Sequence, residues 1–243
     1  MNAQSLLVAA MLMASATAFA DTAAKAPTIA KELQQAKTYT ISSPPTAPLE
    51  MAKPALPDLS GYTAQAMEKK IVKTKAGKIS IRRMMQEDAL KDFIGGDNKM
   101  AEWVVRQHGI PQAIFVDDGY MNLKDLLGKV PKQYFSETSP GVFLAKLPIV
   151  VGRKGILDID KNTQELRLSQ QAGSFLINDG QLFVRDTKVT GWDEKTNGPA
   201  LFKSAKEFRP FLLAWGGTET YISKTKMASF GYANSKSYGV SIS

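Results

Sequence analysis

Cysteine is absent from this 243-residue chain, and histidine occurs once, at His108. The first absence excludes disulfide staples, thiolate metal sites and cysteine nucleophiles. The second excludes a metal site built on two imidazoles, which leaves a carboxylate calcium site as the metal option. If the chain carries a catalytic base, that base is His108, a carboxylate, a lysine or a tyrosine. Negative charge is in the minority, with 23 acidic against 31 basic residues and a net charge of +8. Such a surplus draws an anionic partner; nucleic acid, an anionic membrane surface and an acidic polysaccharide all qualify. Set against these scarcities are 44% hydrophobic and 22% charged residues, a composition that supports a packed core.

Met1 to Ala20 contain no charged side chain, carry an apolar stretch from Leu6 to Ala18 and close on Ala18-Phe19-Ala20 before Asp21. This is the pattern of a secretory signal cleaved after Ala20, although its first residues lack the usual Lys or Arg. The run is shorter than the roughly 20 apolar residues that span a bilayer, and no later run approaches that length. The expectation is an exported chain with no membrane span after cleavage. Export removes nucleic acid from the candidate partners and leaves an extracytoplasmic polymer or lipid surface.

From Asp21 to Ser60 the chain is rich in Ala, Pro, Thr and Ser, with Ser43-Pro44-Pro45-Thr46-Ala47-Pro48 at its centre. Prolines at this density predict an extended surface arm with one short helix over 29–36. Residues 61–147 read as a small α/β region. Thr63 to Lys70 has helical composition and Ile79-Ser80-Ile81 alternates as a strand. Asp97 is placed to cap a helix carrying Met100, Trp103 and Val104 on one face, with Gly109 past its end. Ala113-Ile114-Phe115-Val116 reads as a buried strand closed by Asp118-Gly119, and Asn122 as the cap of a helix through Leu123, Leu126 and Leu127.

From 148 to 243 short strand-like runs follow one another without a helical pattern: Ile156–Ile159, Leu166–Leu168, Ser174–Ile177, Leu182–Val184, Phe211–Ala214, Thr220–Ile222 and Tyr238–Ile242. A repeat is visible among them, Phe175–Trp192 against Phe211–Tyr232. Phe183-Val184-Arg185-Asp186-Thr187-Lys188-Val189 of the first copy matches Tyr221-Ile222-Ser223-Lys224-Thr225-Lys226-Met227 of the second, and both end on glycine and an aromatic residue. Short strands with turn residues at equivalent places predict a β-solenoid whose coils bury their apolar faces against one another. The alternative is a β-sandwich with two similar hairpins. Asp193–Arg209, between the copies, reads as an insertion. The last strand ends without a covering element, so the expectation is an N-terminal part of a longer protein.

The blocks Phe208–Gly217 and Phe230–Ser243, together with Leu56–Thr63, Pro111–Phe115 and Phe175–Asp186, closely resemble the periplasmic mannuronan C5-epimerases of alginate-producing bacteria. The resemblance implies a mainly β chain, a right-handed parallel β-helix preceded by the α/β region. It implies inversion of C5 of β-D-mannuronate within the polymer to give α-L-guluronate, without a cofactor or metal. It also implies membership of a periplasmic alginate secretion complex. In that family the base is the His of an Asp-Pro-His-Asp motif. That motif does not occur in this sequence, and no catalytic role passes to His108.

Epimerisation at C5 removes a proton α to a carboxylate, so a base and an acid must face each other across the sugar. A polyuronate carries one negative charge per residue, which calls for a track of cations. Arg185, Lys188, Lys224, Lys226 and Lys236, in or beside the repeated strands, are the candidate polymer contacts. Tyr232 and Tyr238 fit either sugar stacking or packing on each other. Two other readings remain at this point: a binding or scaffold protein without chemistry, and a polyuronate lyase, which shares the proton abstraction but expels the 4-linked sugar.

Overall fold

The computed structural model describes Asp58, residues 60–84, Leu90, residues 99–234 and residues 236–243. The expected signal sequence, nearly all of the proline-rich arm and the Asp97 cap lie outside the described residues. Among the described residues, a 3-10 turn (Ser60–Tyr62) is followed by α1 (Ala64–Lys70), β1 (Lys78–Arg83) and α2 (Lys99–Gln107). Thr63 caps α1 by accepting a hydrogen bond from the Ala66 N–H. His108, with φ 53°, takes the left-handed position directly after α2, before Gly109.

A mainly β region follows, comprising β2 (Gln112–Asn122), α3 (Leu123–Leu127), β3 (Phe135–Ser139), β4 (Val142–Ala145), β5 (Ile149–Ile159), β6 (Glu165–Ser169), β7 (Leu176–Asn178), β8 (Gln181–Arg185) and β9 (Lys188–Asp193). It continues with β10 (Gly198–Pro199), β11 (Leu212–Ala214), β12 (Glu219–Ser223), β13 (Lys226–Ala228) and β14 (Val240–Ile242). Asn122 caps α3 reciprocally with Asp125. The sheets are mixed, because β1, β3 and β10 pair antiparallel with β2, β4 and β9. All other pairs are parallel and fall into three columns. The first runs through the N-terminal half of β2, the same half of β5, then β7, β11 and β14. The second joins the C-terminal halves of β2 and β5 to β8 and β12. The third is β4, β6, β9 and β13.

The two repeat copies pair with one another in parallel: Leu176 with Leu212, Phe183 with Tyr221 and Lys188 with Lys226. Two similar hairpins packed as a sandwich would not place the copies on each other in this way. The match ends before the shared glycines, since Gly191 backs onto the Ser229 carbonyl and Gly231 comes two residues later. Asp118-Gly119 does not close a strand. β2 runs on to Asn122 through a register shift at Val116/Asp118, with Gly119 at φ 71° beneath the Lys75 and Ala76 carbonyls.

Residues alternating along each strand send Ile114, Ile149, Leu176 and Leu212 of the first column inward. Met121, Leu157 and Leu182 of the second and Leu166 and Val189 of the third join them in one buried core. The other face of the first column is buried too, under Trp103, Phe115, Phe175, Phe208 and Phe211. There Phe175 and Phe211 stack at 4.7 Å, and Trp103 meets Phe175 edge-on at 5.2 Å.

The corner between the first two columns has no room for side chains. A Cβ on Gly180 would sit 2.1 Å from the Gly152 carbonyl oxygen, a backbone contact that no rotamer relieves. Gly180→Ala is expected to destabilise the chain by about 2 kcal/mol, the range for overpacking a tight site. Urea unfolding checks this, and a loss below about 0.5 kcal/mol contradicts the close stacking.

Candidate functional site

Of the five candidate cations, three lie together and two stand apart. Arg185, near the end of β8, is buried (8% exposed), and its guanidinium grips Asp158 of β5, which is fully buried. Its Nη2 donates to both Asp158 oxygens at 2.9 Å, while the Tyr120 hydroxyl donates to Oδ2 at 3.0 Å. Glu68 of α1 approaches Arg185 from outside at 3.6 Å. Burial works against the guanidinium's charge, but the Asp158 bond and field outweigh it and hold the group protonated. Burial, with the Asp158 carboxylate beside it, drives the Tyr120 phenol well above its usual range, so it serves as a donor and not as a base. This cluster ties α1 to the outer face of the second column. Lys236, with φ 62°, lies 4.8 Å from the Trp215 ring centroid, away from the third column.

Lys188, Lys224 and Lys226 belong together. Lys226 stacks on Lys188 in register on the outward face of the third column. Lys224 sits in the turn just before, at φ 47°, where the turn between β8 and β9 has Asp186 at φ 49°. Lys224 and Lys226 are exposed. Like charges directly stacked on neighbouring strands repel, and the register is kept by what lies on the other side. Glu165 of β6 accepts from the Lys188 ammonium at 2.8 Å, from Thr190 at 2.7 Å and from Arg167 at 2.8 Å. Arg167 in turn lies 3.5 Å over the Trp192 ring. Desolvation raises the Glu165 pKa, but the three donors outweigh it and hold the carboxyl below its ordinary value.

Two lysines that sequence reasoning passed over lie over rings of the second column. Lys70, in the last turn of α1, lies over the Tyr221 ring at 5.4 Å, and Lys73 lies over Tyr120 at 5.1 Å. The signal available was the lysine density of 69–78, which holds Lys69, Lys70, Lys73, Lys75 and Lys78. Tyr232 packs edge-on against Phe208 at 5.3 Å, as an aromatic stack, whereas Tyr238 is exposed. Among the described residues, no three His, Asp or Glu side chains come together as a metal site. No helix there is long and apolar enough to cross a membrane. The arrangement can hold an anion; it does not set a base against an acid across an open cleft.

No family model matches the sequence. The mannuronan C5-epimerase of Pseudomonas fluorescens is 88% identical over the whole chain, and that of Pseudomonas syringae pv. tomato is 62% identical over 98% of it. The chain belongs to the mannuronan C5-epimerase family. It spans just under half the length of these relatives, 46% and 45%. A crystal structure of the periplasmic alginate epimerase AlgG, 62% identical, superposes on 79% of this chain and 45% of its own with a TM-score of 0.74.

Two predictions follow from the buried charges. Asp158→Ala strands a buried guanidinium and is expected to cost about 3 kcal/mol in urea unfolding, whereas Asp158→Leu combined with Arg185→Met costs less than the single change. A double variant weaker than Asp158→Ala contradicts the pairing. Because the folded pKa of Glu165 lies below its ordinary value near 4.5, its contribution is complete above that value and is lost as pH falls through the folded one. Glu165→Gln is therefore expected to be about 1–2 kcal/mol less stable at neutral pH, with the gap closing on acidification. A gap that does not change with pH contradicts this.

Proposed function

We propose that the chain forms the first coils of a right-handed parallel β-helix, over 148–243 and beginning already with β2 and β4, which stand in the same columns, so that within 61–147 the part before β2 is the capping region. In this reading it is the N-terminal part of an exported mannuronan C5-epimerase that works in the periplasm on polymannuronate during alginate biosynthesis. The observation that carries the proposal is the identity to mannuronan C5-epimerases along the whole chain, 88% for one relative. The three parallel columns support the coil reading, since each consists of strands spaced one circuit apart.

The role of these coils is to hold polymer. Lys188, Lys224 and Lys226 meet its carboxylates. Arg185 serves by fixing α1, and Lys236 by capping Trp215. The C5 proton is removed elsewhere. The Asp-Pro-His-Asp motif is absent from this sequence, and the coil that carries it belongs to the half of the family's length outside these residues. The secretion complex through which the polymer leaves the cell is the assembly in which the intact protein works.

The test is to incubate the chain with polymannuronate and record proton NMR spectra. The expected outcome is no guluronate signal, together with polymer binding that weakens steeply with salt. Guluronate formation by this chain, or binding indifferent to salt, contradicts the proposal.

A further inference from the structure

A second group of cations faces a different part of the molecule. A cleft of about 590 Å³ lies between the α1–β1 connection and α3, lined by Lys73, Gly77, Tyr120, Lys124, Asp125 and Lys129, among others. Three ammonium groups border it, and all three lysines are exposed. Among the described residues none of them has a carboxylate within ion-pair distance. Lys129 donates to the Gly77 carbonyl at 2.7 Å, and Lys73 rests over the Tyr120 ring. Asp125, the one acid in the lining, is engaged by the Asn122 N–H at 3.1 Å in the α3 cap. Tyr120 directs its hydroxyl to Asp158 and so offers the cleft its ring alone.

Uncompensated like charges around one concavity repel one another, and an oxyanion between them relieves that repulsion. The cleft lies at the first strand of the second column, β2. The Lys70–Tyr221 contact and Lys224 lie three strands further along, at and just after β12. At about 4.8 Å per strand this is a separation of about 14 Å, the length of a few sugar residues. We propose that this cleft is a second anion subsite, which holds a uronate carboxylate of the same polymer chain that meets Lys224 and Lys226. The proposal rests on the polymer-binding reading above.

The test titrates the full chain at low salt with a defined oligomannuronate, with inorganic phosphate, and with a neutral β-1,4-linked hexose oligomer. Lys73→Gln/Lys124→Gln leaves the structural Lys129 bond in place, and thermal unfolding monitors its fold. It is expected to weaken oligomannuronate binding about 5-fold, as the loss of two exposed charge contacts implies. Lys224→Gln/Lys226→Gln acts separately, and the two losses multiply. If only the second variant weakens binding, the cleft is not a subsite, while the polymer reading stands. If neither variant changes oligomannuronate binding, both are overturned. Phosphate binding as tightly as the oligomer, with the same dependence on Lys73 and Lys124, overturns the uronate assignment. Equal binding of the neutral oligomer overturns the charge argument.

Discussion

A strand in these columns pairs with the strand before or after it in the same column at the fixed spacing of a parallel ladder, about 4.8 Å, and its inward side chains must fit that spacing. Most of the structure follows from that constraint. Several inward positions repeat an aliphatic side chain from strand to strand: Ile149 over Leu176 over Leu212, and Leu157 over Leu182. Where the chain turns tightly between columns, the same spacing brings backbone onto backbone, and glycine is required at Gly180. Asn178, buried at this corner, donates to the Glu219 carbonyl at 2.9 Å and accepts from the Gly180 N–H, so the polar groups of the bend are satisfied within the stack.

The outer faces are then distinguished by what covers them. Aromatic side chains from α2 and from the segment after β10 close the first column, and α1, tied by Arg185 and Glu68, overlies the second. The outward face of the third column carries Glu165, Arg167, Lys188 and Lys226. Charge therefore accumulates where apolar cover is missing, and burial has already committed one of the cations, Arg185, to holding the fold.

Much of this was legible in the sequence because repetition is a one-dimensional signal. The match of Thr187-Lys188-Val189 to Thr225-Lys226-Met227 gave the register of β9 on β13. The continuous strand β5 was not legible, since Gly152-Arg153-Lys154-Gly155 reads as a loop and lies in a bend of the strand between two columns. Arg185 and Lys188 look alike on paper. Only the pairing of β5 with β8 shows that one lies beside a buried aspartate while the other faces outward. The Lys70 and Lys73 contacts were hidden for the same reason: they join residues about 50 to 150 positions apart, and no local pattern records them.

The absence of cysteine makes the central claim, parallel in-register stacking of the two copies, directly measurable. Lys188→Cys with Lys226→Cys places two thiols on partner residues, whose Cα separation of about 4.8 Å suits a disulfide, and mild oxidation is expected to cross-link them. Asp186→Cys with Lys226→Cys offsets the pair by two residues, to roughly 8 Å, beyond disulfide reach. Cross-linking of the first pair and not the second is the predicted result; preferential cross-linking of the offset pair would contradict the stacked register.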